Sequence, residues 1–164
     1  MIIQPADMDA ASKVWIFQSD HAIDKSKEAL MREELTAFLT EWAAHNVQLY
    51  ASGDIVHARF ITIMVDERYT GASGCSVDKM HQFIHYLEQK YNLSLMDRMQ
   101  IAYFNAGEDD IKTAHINELT QLVRNRIMNE DTYVFDNLVP TKGDFDARWK
   151  VKIKDSWHKR FIRQ

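Results

Sequence analysis

The chain holds a single cysteine, Cys75, so no intrachain disulfide can form, and a reducing compartment is the setting it suits. Proline (two) and glycine (five) are nearly as scarce in the 164 residues, which argues against flexible linkers and disordered tracts. One α+β domain over residues 1–164 is the expectation. No apolar run approaches the roughly 20 residues that cross a bilayer. The opening MIIQPADMDAASK lacks a basic start followed by an apolar stretch, so it does not read as a secretory signal, and a soluble cytoplasmic protein is expected. No repeat at solenoid spacing and no GxxxxGK[ST] phosphate loop occurs.

Against these absences stands one strong asymmetry. Residues 147–164 carry seven Lys/Arg and one Asp, a local net of +6, whereas residues 1–146 carry 13 Lys/Arg against 23 Asp/Glu. A basic, Trp-bearing tail on an acidic body predicts docking onto that body or onto an outside anionic partner.

Hydrophobic periodicity predicts the elements. Val14 to Phe17 reads as a buried first strand. A helix follows to about His45, with Leu30, Met31, Leu35, Phe38, Leu39 and Trp42 on one face and Asp20 or Asp24 as its cap. Val47–Ala51 and Ile55–Val65 read as a hairpin turning at Ser52-Gly53-Asp54. Val77–Tyr91 reads as a helix, Met99–Phe104 as a strand, 109–128 as a helix, and Tyr133–Val139 as a strand stopped by Pro140. In the tail, Trp149, Val151 and Ile153 alternate with Lys150, Lys152 and Lys154, a strand with one basic face, and Asp155-Ser156 starts a helical turn. Through residue 105 the order is β-α-β-β-α-β. That is the ferredoxin-like split β-α-β order, with a core over about 13–105 and an α-β-β extension over 106–164. The sheet face away from the helices then needs a cover, either the extra helix or a second copy in a homodimer, with Trp15 and Phe17 as candidates to point there.

Four places carry candidate chemistry. The loop Gly71, Ala72, Ser73, Gly74, Cys75, Ser76 precedes a helix, where backbone N–H groups and the helix dipole favour an anion, although Asp78 would compete with it. The same position favours the thiolate of Cys75 and would make it a nucleophile. The plainer reading is a cap, with Ser76 as N-cap. His81 and His85 share a helix face and suit a divalent metal with Asp78 or Glu88, but the zincin glutamate is missing, so two solvated histidines are the plainer reading. Asp20, Asp66, Glu67 and Asp136 follow strands and would suit Mg²⁺ if gathered. The split order instead sends Asp20 and Asp66 to opposite sheet ends. In the tail, Trp149, Lys150, Lys152, Lys154, Trp157, His158, Lys159, Arg160 and Phe161 mix cations with aromatics as a nucleic-acid site would. The overall charge of −4 suits nucleic acid poorly, so an anchored tail meeting the acidic body or a partner is favoured.

Four segments together resemble a small family of uncharacterised bacterial proteins, some of them labelled ABC transporter ATPases. They are Trp15-Ile16-Phe17-Gln18-Ser19, Ser73-Gly74-Cys75-Ser76-Val77-Asp78, Val134-Phe135-Asp136-Asn137-Leu138-Val139 and Asp155-Ser156-Trp157-His158-Lys159-Arg160-Phe161. That label implies nucleotide hydrolysis. The chain has neither a Walker A loop nor an LSGGQ-type signature and is short for such a domain, and the family offers no functional residues to carry over. Two expectations follow from the residues themselves: a binding or interaction module acting through its sheet face or basic tail, or a small enzyme using the 71–76 loop. No cofactor is implied by any motif.

Overall fold

The run around Val14 forms β1 (Lys13–Gln18), as its β-branched and aromatic residues favour. The computed structural model that shows this describes residues 2–163. α1 (Lys25–Glu41) follows and stops short of His45, because Ala43–Ala44 (β2) and Val47–Gln48 (β3) pair as a short ribbon. His45 and Asn46 make its turn at φ 50° and 63°.

β4 (Ala51–Val56) and β5 (Phe60–Val65) form the hairpin, but its turn is at His57-Ala58-Arg59 and not at Ser52-Gly53-Asp54. His57 and Ala58 both adopt positive φ, and Arg59 N–H closes the turn on Val56 O at 3.1 Å. Gly53 sits inside β4 for a packing reason. A Cβ there would lie 2.7 Å from Leu39 Cδ1 and 3.2 Å from Leu35 Cδ2, so the missing side chain lets α1 approach the sheet.

α2 (Gly74–Tyr91) starts three residues earlier than its apolar stripe predicts, with Ser73 rather than Ser76 as N-cap. β1, β5 and β4 form an antiparallel sheet in that order. Phe17, Ile61, Ile63 and Val65 face α1 and α2, where Met31, Leu35, Leu39, Met80, Ile84 and Leu87 complete an aliphatic core.

The sixth strand departs from the ferredoxin-like expectation. β6 (Gln100–Phe104) does not join the first sheet but starts a second one. There β7 (Lys112–His115), β6, β8 (Tyr133–Phe135) and β9 (Lys150–Lys152) lie side by side, each pair antiparallel. The helix predicted over 109–128 is accordingly reduced to α3 (Leu119–Arg124), preceded by a 3-10 turn at Ile116–Glu118. Lys112–His115 finds ladder partners on β6 that outweigh its weak helical period. β8 ends at Phe135, where the Asp136 side chain takes over by accepting Leu138 N–H at 3.0 Å. After Pro140, α4 (Lys142–Arg148) is an element that periodicity misses, capped by Thr141 Oγ1 accepting Asp144 N–H at 3.2 Å. The predicted tail strand is β9, and two 3-10 turns, Ile153–Asp155 and Trp157–Phe161, close the chain.

The second sheet and α4 cover the other face of the first. Val14, Ile16, Phe60 and Met64 pack there against Ala102, Phe135, Val139 and Trp149. The cover is therefore this chain's own C-terminal part, and Trp15 and Phe17 turn the opposite way, toward the helices. Ring centroids of Trp149 lie 4.9 Å from Phe60, 4.9 Å from Phe135 and 4.6 Å from Phe145. Each such aromatic pair contributes about 0.5–1.5 kcal/mol beyond its buried area. Among the described residues, no helix is long and apolar enough to cross a membrane.

Candidate functional site

The 71–76 loop is built around its own hydrogen bonds. Ser73 N–H donates to Ser76 Oγ (2.8 Å) and Ser76 N–H to Ser73 Oγ (3.2 Å), a reciprocal capping box. Ala72 N–H donates to Glu67 Oε1 at 3.1 Å, so a carboxylate of the chain already stands where an anion would enter. Gly71 lies nearest the same Glu67 oxygen, and Gly74 has open space around it. Cys75 is exposed, and among the described residues its thiol has no hydrogen-bond partner.

His81 and His85 each have a contact of their own. The His81 ring meets Phe17 edge to face at 6.0 Å, and His85 Nδ1 pairs with Glu88 at 3.2 Å. Among the described residues no three His, Cys, Asp or Glu side chains are grouped to hold a metal ion. The strand-end carboxylates are apart and individually engaged. Asp66 binds Arg68 at 2.6 Å, Asp20 accepts Ser94 N–H at 3.0 Å, and Asp136 binds Arg148 at 3.2 Å. The Arg68 guanidinium holds the Asp66 carboxyl below the usual aspartate range.

The basic tail divides its residues between two tasks. Trp149 is buried, stacks with His57 at 6.0 Å, and donates from Nε1 to Asn137 Oδ1 at 2.9 Å. Lys150 Nζ lies 5.8 Å over the Phe104 ring. Lys152 and Lys154 share Asp131 at 3.2 and 2.8 Å and draw its carboxyl below the usual aspartate range. Trp157 Nε1 donates to Asp136 at 3.1 Å, and Phe161 O accepts from Thr120 at 2.7 Å. These contacts anchor the tail on the acidic body. Lys159 and Arg160 stay exposed, the latter over the Phe161 ring at 4.7 Å.

Docking of the tail completes a cavity of about 160 Å³ that no sequence motif announces. Its wall comes from the end of β1 (Ile16, Phe17, Gln18), the approach to β6 (Leu95 to Ile101), the turn after β8 (Phe135, Asn137, Leu138) and the tail (Trp157, His158). The volume is that of a single ring, since an engineered apolar cavity of roughly 150 Å³ takes benzene. One side is a relay of amides. Trp149 Nε1 donates to Asn137 Oδ1, Asn137 Nδ2 donates to Gln18 Oε1 (2.9 Å), and Gln18 Nε2 donates to Gln100 O (3.3 Å). The relay ties the first sheet to the second and holds Gln18, 7% exposed, in a fixed orientation. At the rim stand Met96 and Leu138, 41% and 59% exposed, with Asp97 and Arg98. Asp97 accepts Met99 N–H at 2.9 Å, and Arg98 has no ion pair or hydrogen bond among the described residues.

His158 is the buried titratable group of this wall, at 1% exposure. Burial pushes its pKa down to about 4, outweighing the opposite pull of the Asp136 carboxylate, so the ring is neutral near pH 7. Its Nδ1 lies 2.8 Å from Ser156 Oγ, which also accepts His158 N–H (3.1 Å) and donates to Ile153 O (3.3 Å). The proton assignment that keeps all three contacts makes Nδ1 the donor and leaves Nε2 with its lone pair. Nε2 has no hydrogen-bond partner among the described residues, and His158 is one of the residues that line the cavity. The arrangement offers a neutral acceptor beside a cavity whose wall mixes apolar side chains with Gln18, Gln100 and Asn137.

Of the residues that form this wall, Gln18, Arg98 and Asn137 have no motif around them. A signal existed for Gln18 alone, as a polar residue ending an otherwise apolar buried strand. No family model, no curated protein and no solved structure matches this chain.

Proposed function

We propose that this chain is a binding module whose site is the cavity completed by its own basic tail. Its ligand is a compact, largely apolar molecule carrying one O–H or N–H donor. The observation that carries this reading is His158, buried and neutral, its Nε2 without a partner among the described residues, in the lining of a ring-sized cavity. A donor brought to it gains a hydrogen bond, and a ligand without one leaves the acceptor unpaired, a cost of about 1–3 kcal/mol. The unpaired Arg98 and the neighbouring Asp97 suit a polar end at the mouth.

The same reading takes the first half of the chain as a ferredoxin-like arrangement, β1-α1-β4-β5-α2, whose fourth strand has been diverted into the second sheet. The order β1-β5-β4 with both helices on one face supports it. A cytoplasmic setting is what the lone Cys75 supports. The resemblance to the bacterial family adds no ligand to this site, and no glycine-rich phosphate loop lines it.

Phenol and anisole test the proposal, because they differ in one donor. With the histidine rings ¹⁵N-labelled, phenol is expected to shift the His158 Nε2 resonance, and anisole to bind about ten-fold more weakly. The His158→Leu variant should bind both alike. Equal binding of the two to the wild-type chain, or a His158 signal that phenol leaves in place, would overturn the reading.

A further inference from the structure

Lys159 and Ile162, from the 3-10 segment that supplies Trp157 and His158 to the cavity, line a different concavity. It is an open groove of about 590 Å³ between the turn after α3 and the chain's last residues, and it shares no lining residue with the cavity. Four cations stand around it, Arg126, Lys154, Lys159 and Arg163, against one carboxylate, Glu130. Lys154 is paired with Asp131, but Arg126, Lys159 and Arg163 have no ion pair among the described residues. Val123, Met128 and Ile162 make its apolar floor.

Arg126 is held there against its backbone preference. It takes φ 59° at the end of α3, with its N–H on Val123 O at 3.0 Å, in the left-handed cap position that Gly or Asn ordinarily fills. A long cation kept where glycine is the easier residue points to a use for the cation.

We infer that this groove binds a short acidic segment of a partner protein, one that carries an aliphatic side chain between carboxylates. The cations would pair with the carboxylates and the aliphatic group would sit on Val123, Met128 and Ile162. Three features favour a peptide over a nucleic acid. Among the described residues no aromatic side chain lines the groove, so a base finds no ring to stack on there. The tail's Trp157 and Phe161 are engaged elsewhere, with Arg160 over both rings at 5.3 and 4.7 Å. The chain as a whole is at −4, which repels an extended polyanion beyond the groove but not a short segment within it.

The test uses fluorescence anisotropy of the full chain with four labelled probes. They are a short Asp/Glu peptide with one central leucine, the same peptide with serine for leucine, a lysine-rich control, and an oligothymidine of equal charge. The leucine peptide is expected to bind saturably, with affinity falling as salt rises. Arg126→Glu and Lys159→Glu should each weaken it about ten-fold, as loss of a steering charge does. Both positions are exposed, so an unchanged His158 ¹⁵N signal will report an intact fold. Arg126→Gly is the sharper variant, expected to weaken the peptide and yet raise the unfolding midpoint, because it suits the left-handed backbone. The inference falls if the leucine peptide does not saturate at low salt, or if serine serves as well as leucine. It also falls if the oligothymidine binds as tightly, or if the charge reversals change nothing.

Discussion

Polar groups gather in two places, the loop before α2 and the cavity beside His158, and they differ in what those groups are doing. In the loop, the amides of Ala72, Ser73 and Ser76 already donate to Glu67, Ser76 and Ser73. In the cavity wall, the relay through Trp149, Asn137 and Gln18 is equally satisfied, but His158 and Arg98 line the same cavity with His158 Nε2 and the Arg98 guanidinium unpartnered among the described residues. A ligand can gain only from groups that are not already bonded. The capping box makes the loop a helix start, and the unpartnered groups are what favour the cavity as the proposed site.

The most severe way to break the contrast is Trp149→Ala. It empties the centre of the aromatic cluster and strips Asn137 Oδ1 of its donor, so we expect a loss of about 3–5 kcal/mol in urea unfolding. Phenol binding should go with it, while the α2 cap keeps its hydrogen-exchange protection. Loss of both together would mean the two places are not separate.

Acid comes next. Because the folded pKa of His158 lies below its usual 6.5, the unfolded chain takes up a proton at pH 6.5 that the folded chain refuses. Stability therefore falls as pH drops from 6.5 toward 4, and the contribution levels off below that. The fall should reach about 3 kcal/mol, read as the wild-type minus His158→Gln difference across a pH series of urea midpoints. A difference that stays flat would place a charged imidazole in the cavity and remove its acceptor.

Ser73→Ala sharpens the other side. It deletes one half of the capping box, for a loss of about 1 kcal/mol, and should leave phenol affinity unchanged. The smallest effect belongs to Cys75→Ser, expected within about 0.5 kcal/mol of wild type and neutral for binding, as an exposed site without partners should be. Abolished function in that variant would restore the thiol reading and make the loop the site after all.

The loop looked promising in the sequence because its small residues and its place before a helix are local features, and the same locality explains why it is satisfied by Ser73, Ser76 and Glu67, all within ten residues. The cavity was hidden because its wall draws on positions 16–18, 95–101, 135–138 and 157–158, which no window contains. Similar reasoning covers the elements. β1, α1 and α2 announce themselves through unbroken period in runs of apolar residues. The hairpin turn did not, since Gly53 resembles a turn glycine until α1 is seen resting on it. α4 was missed, although Thr141 and Asp144 just after Pro140 form a cap pattern that a search for caps would have found.

By itself, then, the sequence determined that the chain mixes helices with strands, about where α1 and α2 run, and that its tail is basic, because these depend on local period and on charge counts. Only the tertiary structure decided that β6 leaves the first sheet, that the sheet's open face is covered by the chain's own second half, and that His158 loses its water. Those outcomes depend on which distant surfaces meet, and burial and desolvation are properties of the meeting rather than of any residue alone.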